Sequence, residues 1–267
     1  MTYIFSNVIV VSLLDLETET NRASSPRRYW PWVNSFPQFD LRTVTDREVK
    51  DRIVILGGGA LLDEKYKDQL DMIASSAKEV HMWGVGINSR GVEYDAEPLD
   101  WDIVQTASLV GLRDRHMTHP DVEIWSIGCP SVMHPMFAHP PDPVINAVAY
   151  IHDDYEFDSK QRFVKAKVPI IHTNSRIDDA LYHIARARCV FTTSYHGAMW
   201  AAWMGRQVIL LDPFSSKFFT GLKADTISDG KPGMDFNMAG REWYQSVIRS
   251  HREFERFIGG KITLEPF

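Results

Sequence analysis

Short apolar runs recur along this chain, most ending in glycine, hydroxyl-bearing or charged residues and many separated by segments with helical spacing. That alternation specifies a parallel sheet, because a strand is apolar along its whole length only when helices cover both its faces. In the first half the runs predict strands at 4–11, 52–56, 79–83, 109–112 and 123–125, with a helix over 63–76 carrying Tyr66, Leu70 and Ile73 on one stripe. The second half restarts at 144–151, continues at 168–171, gives a helix at 177–187, and ends with strands at 189–191 and 208–211. Five prolines between Ile127 and Pro143 read as a linker. The expectation is an α/β protein of two Rossmann-like halves, 1–140 and 141–267, facing a cleft. Trp243, Val247, Ile248, Phe254 and Phe257 predict one long amphipathic C-terminal helix over 241–258.

Composition narrows the class. Apolar residues make up 44% and charged residues 24%, as in soluble globular proteins. A net charge of −6 argues against nucleic-acid binding, which calls for a basic surface. Cys129 and Cys189 lie far apart in apolar contexts, so reduced thiols are expected, and no metal-ligand spacing is present. The first apolar run lacks a basic leader and a cleavage site and is too short to span a bilayer. A cytoplasmic location follows as an expectation. Arg22, Arg27, Arg28, Trp30 and Trp32 form a basic aromatic segment that would suit peripheral contact with a membrane or glycan, or a solvated loop.

Chemistry-bearing residues collect after the strands. The run Thr192-Thr193-Ser194 follows an apolar strand, and His196 and Gly197 then open a helix. Ligands of open α/β sheets bind at the carboxyl ends of strands, and backbone N–H groups at a helix start favour an anion. His196 therefore stands where a phosphate or carboxylate would dock. Gly57-Gly58-Gly59 and Gly84-Val85-Gly86-Ile87-Asn88 end two neighbouring strands, and their exposed backbone would line a groove for an acceptor; tight packing is the plainer alternative. Asp63 is either a helix cap or a partner for a sugar hydroxyl. Arg113 either pairs with Asp114 or binds an anion with its fork of donors. His172, Asn174 and Ser175 precede a helix, as caps or as part of an anion pocket shared with the Ser194–His196 loop. Lys217 would reach back as a cation or stay solvated. Trp200 and Trp203 read as core.

The ordered set Gly57-Gly58-Gly59-Ala60-Leu61-Leu62, Gly84-Val85-Gly86-Ile87, Arg113-Asp114 and Thr193-Ser194-Tyr195-His196-Gly197, followed by Gly205 and Val208-Ile209, resembles the polysaccharide pyruvyl transferase family over roughly residues 50–220. The likeness is greatest to the bacterial ketal-pyruvate transferases that decorate exopolysaccharides such as xanthan and succinoglycan. It implies a GT-B-like fold, phosphoenolpyruvate as donor without a further cofactor, and a sugar acceptor, typically on a lipid-linked repeat unit at the inner membrane. Under that resemblance His196 and Asp63 are catalytic, with His196 the acid. Arg113, Ser194, Gly197, His172, Asn174, Ser175 and Lys217 face the donor, and Gly58, Gly59, Gly84, Gly86 and Asn88 face the acceptor. The chain departs from the family in two places. It lacks the Gly-Asn-x-Gly-Asp turn after the first strand, and Ser194 stands where many members carry arginine, so Arg113 or Lys217 would have to meet the phosphate. A nucleotide-sugar glycosyltransferase on the same plan and a non-catalytic glycan-binding relative are the alternative readings.

Overall fold

The computed structural model of the chain describes residues 8–12, 36–87, 102–114, 119–152, 160–211 and 236–263. It contains two sheets, parallel throughout. The first holds β1 (Val8–Ser12), β2 (Gln38–Asp40), β3 (Ile53–Gly57), β4 (Glu79–Val85), β5 (Leu109–Leu112) and β6 (Ile124–Ser126), in the order β2-β1-β3-β4-β5-β6. The second holds β7 (Ile145–Ile151), β8 (Ile170–His172), β9 (Ala187–Thr192) and β10 (Gln207–Leu210), in the order β10-β9-β7-β8. Every residue of β1 and β3 is buried, which is why these runs are apolar without alternation. The expected α/β class and C-terminal helix are both present. The edge strand β2 escaped the sequence reading because its three half-buried residues, Gln-Phe-Asp, carry no apolar run.

Four longer helices position the site. They are α1 (Lys67–Ser76), α2 (Ile177–Arg186), α3 (Tyr195–Trp203) and α4 (Phe236–Thr263). Leu70 and Ile73 bury one stripe of α1. In α3 every residue is buried except His196, and both Trp200 and Trp203 lie in the core as expected. Helix α4 serves both sheets. Trp243, Tyr244 and Val247 pack with α2 and α3, whereas Phe254 and Ile258 join Val8, Val10, Ile55 and Trp83 of the first sheet.

The proline-rich stretch does join the two sheets, from β6 to β7, and much of it is packed into the core. Ile127, Cys129, Ser131, Val132 and Phe137 are all buried, and Pro130 and Pro135 start a 3₁₀ turn (Pro130–Met133) and a short helix (Pro135–Ala138). Proline is at home in a first turn, where its missing N–H costs no hydrogen bond.

Candidate active site

Glycine shapes the carboxyl end of the first sheet. Gly58 and Gly59 follow β3 with φ of 83° and 79°, and Gly84 near the end of β4 has φ of 67°. The two turns are stitched together through backbone: Gly86 N–H donates to the Gly59 carbonyl (2.9 Å), and Leu62 N–H to the Gly86 carbonyl (3.1 Å). A Cβ at Gly84 would come 2.5 Å from Pro130 Cδ, and one at Gly86 would collide with the Arg113 guanidinium. Asn88 lies outside the described residues.

Arg113 fills the space that Gly86 leaves. It follows β5, is 2% exposed, and its backbone N–H donates to the Val85 carbonyl at 2.7 Å. Its Nη2 lies 3.4 Å from the Ile87 carbonyl and 3.7 Å from Asp114 Oδ2, which also accepts the Ile87 N–H at 2.8 Å. The guanidinium carbon stands 4.7 Å from the Tyr195 ring centre, a cation–π contact between the first sheet and the first turn of α3. Nε of this buried side chain has no hydrogen-bond partner among the described residues. Burial opposes the charge, but Asp114, Tyr195 and Cys129 outweigh it and the guanidinium pKa is raised. Of the sequence alternatives for Arg113, the pairing with Asp114 is present, and the side chain also reaches the first turn of α3.

Hydroxyls shape the carboxyl end of the second sheet. Thr192 Oγ1 donates to the Tyr150 carbonyl (2.7 Å) and accepts the Ser194 N–H (2.9 Å). Thr193 Oγ1 accepts the His152 N–H at 2.9 Å. Ser194 caps α3, its Oγ taking the Gly197 N–H at 3.5 Å. A Cβ at Gly197 would fall 2.5 Å from Thr192 Oγ1, so glycine lets the helix start against β9. His196, half-buried, lies 5.3 Å from the Trp200 ring and 5.4 Å from the Tyr195 ring, with Nε2 3.7 Å from Cys129 Sγ. His196 and Arg113 thus share Tyr195 as a neighbour, one beside its ring and the other over it.

The remaining expected residues are placed less centrally. His172, Asn174 and Ser175 follow β8, but β7 separates β8 from β9, so they do not adjoin the Ser194–His196 loop as expected. His152, after β7, occupies that place and binds Thr173 Oγ1 through Nδ1 at 3.2 Å. Sequence reasoning missed it, although it follows an apolar strand just as the Thr192–His196 stretch does. Asp63 caps the 3₁₀ turn Glu64–Tyr66, accepting the Lys65 N–H at 3.2 Å, with Lys65 Nζ 3.4 Å from its other oxygen. Lys217 lies outside the described residues, as do the basic aromatic segment around Trp30 and the absent family turn. Among the described residues no three His, Cys, Asp or Glu side chains gather as metal ligands.

Residues 132–216 match the model of the polysaccharide pyruvyl transferase family. Over these residues the chain is similar to that family. The matched segment holds Ser194, His196 and Gly197 and leaves out the glycine turns and Arg113. No curated protein matches the chain. Similar solved structures include an uncharacterized protein from Klebsiella pneumoniae (12% identity, 81% of this chain and 87% of that one, TM-score 0.48). They also include a candidate UDP-N-acetylglucosamine 2-epimerase from Listeria monocytogenes (11% identity, 92% and 89%, TM-score 0.47). A third is an alpha-glucosyltransferase in complex with UDP (9% identity, 93% of each chain, TM-score 0.42). Likenesses at that level carry no functional assignment. No helix among the described residues is long and apolar enough to cross a membrane.

Proposed function

We propose that this chain transfers pyruvate from phosphoenolpyruvate to two hydroxyls of one sugar, forming a pyruvate ketal and releasing phosphate. The observation that carries the reading is the meeting of a buried arginine from the first sheet with the helix turn that bears His196. Phosphoenolpyruvate is a dense anion, and a guanidinium fork beside a helix N-terminus suits it. Ser194 is occupied as the cap of α3, so the cation that many relatives carry at its position is supplied here by Arg113.

His196 gives its proton to the methylene carbon of the enol, and C2 takes on cationic character. One sugar hydroxyl adds to C2, phosphate leaves with its C–O bond, and the second hydroxyl closes the ring. Of the two hydroxyl protons released, one restores His196 and the other leaves on phosphate. Arg113 holds the departing anion. The acceptor would approach from the side of the buried glycine turns at Gly58, Gly59, Gly84 and Gly86, where Asp63 would meet a hydroxyl, and the acceptor is an exopolysaccharide repeat unit carried on lipid at the cytoplasmic membrane face.

The test is incubation with phosphoenolpyruvate and a panel of sugar glycosides, read by mass spectrometry. The expected product is a glycoside heavier by pyruvate less one water, with inorganic phosphate released in equal amount. His196→Ala lowers the rate by about 10²–10⁴, the usual worth of a general acid. A glycosyl adduct from a nucleotide sugar, with none from phosphoenolpyruvate, would overturn the proposal. So would a fully active His196→Ala variant.

A further inference from the structure

Beneath His196 lies a chain of polar side chains that the transfer reaction has not used. Trp200 Nε1 is 3.0 Å from Ser131 Oγ, Ser131 Oγ is 3.2 Å from Cys129 Sγ, and Cys129 Sγ is 3.7 Å from His196 Nε2. Ser131 and Cys129 are 0% exposed, and Trp200 lies one turn beyond His196 on the same buried helix.

The direction of each bond follows from what the groups can do. An indole nitrogen only donates, so Ser131 Oγ accepts from Trp200. The single hydroxyl proton of Ser131 is then directed at Cys129 Sγ. A thiol sulfur is a weak acceptor with one proton of its own to give, and imidazole nitrogen is the stronger acceptor beside it. Burial pushes the Cys129 thiol pKa up, against the lowering effects of Ser131 and Arg113, so the S–H stays on.

We infer that Cys129, aimed by Ser131 and Trp200, is a positioning residue that occupies Nε2 of His196 and keeps the imidazole proton on Nδ1. When the ring is doubly protonated the S–H turns away and Nε2–H points at sulfur, so the imidazolium hands its Nδ1 proton to substrate. This last statement rests on the acid role proposed for His196; the tautomer itself does not. Fixing the tautomer of a catalytic imidazole through its second nitrogen is an established use of a buried neighbour. Here the neighbour is a thiol on the proline-started turn between the two sheets.

The experiment is ¹⁵N spectroscopy of histidine side chains in the full chain, with the His196 signal identified by its loss in His196→Gln. At a pH where the ring is neutral, the expected wild-type pattern is an N–H-type shift on Nδ1 and a lone-pair-type shift on Nε2. Cys129→Ala should move the pattern toward Nε2–H, and Ser131→Ala should move it part of the way. With phosphoenolpyruvate and a glycoside, Cys129→Ala should lower kcat by roughly tenfold while KM for the donor stays near wild type, as for loss of an orienting neighbour. Cys129→Ser, which keeps a donor, should restore part of both. An Nε2–H pattern in the wild-type protein overturns the inference whether or not any variant folds. An unchanged pattern in folded Cys129→Ala overturns it equally. An inactive enzyme with the expected spectra would instead count against the transfer reaction alone.

Discussion

The carboxyl ends of the two sheets are built by opposite means. At the first, glycine removes side chains and backbone binds backbone: Gly86 N–H to Gly59 O, Leu62 N–H to Gly86 O. At the second, short hydroxyl side chains do the binding, through Thr192, Thr193 and Ser194. A glycine end fails when something is added and a hydroxyl end fails when something is taken away. Glycine makes room there for one large group, the Arg113 guanidinium, whereas the hydroxyls lock a helix start in place. The first arrangement governs the position of a charge and the second governs stability.

Thr192→Val gives the sharpest form of that contrast. The substitution keeps the shape and removes an oxygen that is 0% exposed, leaving the Tyr150 carbonyl and the Ser194 N–H without it. With a cost of 1–3 kcal/mol for each buried group left unpaired, about 3 kcal/mol of stability should be lost, as read by urea unfolding. A loss under about 1 kcal/mol would show that the hydroxyl lattice is not what holds this end.

Gly86→Ala should do the reverse. The new Cβ lands on a flexible side-chain end, so unfolding shifts by only about 1 kcal/mol, but Arg113 must leave its place over Tyr195. Transfer from phosphoenolpyruvate should fall about 100-fold in kcat/KM, the worth of a misplaced charge-stabilising donor. If stability collapsed while activity per folded molecule held, the comparison would be broken at its first half.

Much of this was legible in the residues, for reasons that differ by region. The strands that carry the site are buried on both faces, so their apolar runs announce them, and the motifs after β3, β4, β5 and β9 lie at the strand ends where the pattern put them. Neighbourhood across a sheet is another matter. Strand order β10-β9-β7-β8 is not written in local spacing, so His172 was expected beside the Ser194 loop, and His152 was passed over. The stretch 127–143 joins the two sheets as its composition suggested, but its burial was not legible, since proline marks both linkers and first turns, and here Pro130 and Pro135 start turns that bury Cys129, Ser131 and Phe137. Tyr195 carried no signal either, because its role depends on a cation arriving from the other sheet.

A third prediction concerns the seam between the two regions. His251 of α4 is 0% exposed and accepts the Trp83 indole N–H on Nδ1 at 3.2 Å, and the nearby Cys129 and Gly128 backbone favours the charged ring without offsetting burial. Burial holds its pKa down to about 3. The ring is neutral in both folded and unfolded chains above the ordinary histidine pKa of about 6.5, so its contribution is complete there. As pH falls from about 6.5 toward 3 the unfolded chain gains a proton that the folded one refuses, and stability drops by up to about 1.4 kcal/mol per pH unit. Thermal unfolding of wild type and His251→Asn between pH 7.5 and 4.5 checks this: the variant should show the shallower slope, and parallel slopes would remove His251 from the account.

The smallest effect falls on the cap of α3. Ser194→Ala removes an oxygen that accepts the Gly197 N–H at 3.5 Å, a long bond, while Thr192 goes on holding the Ser194 N–H from the other side. The expected loss is about 1 kcal/mol, the ordinary worth of an N-cap, read by urea unfolding. Activity should change little if, as proposed, Arg113 and not the residue at 194 supplies the cation. Ser194→Asp makes the same point by charge: it keeps the cap and suits the helix dipole, so stability should hold or rise slightly, yet it sets a carboxylate beside the donor site. Binding of phosphoenolpyruvate, followed by thermal shift, should then weaken in Ser194→Asp and persist in Ser194→Ala. Equal binding by the two variants would mean that the anion does not dock at the first turn of α3, and the hydroxyl end would be structural only.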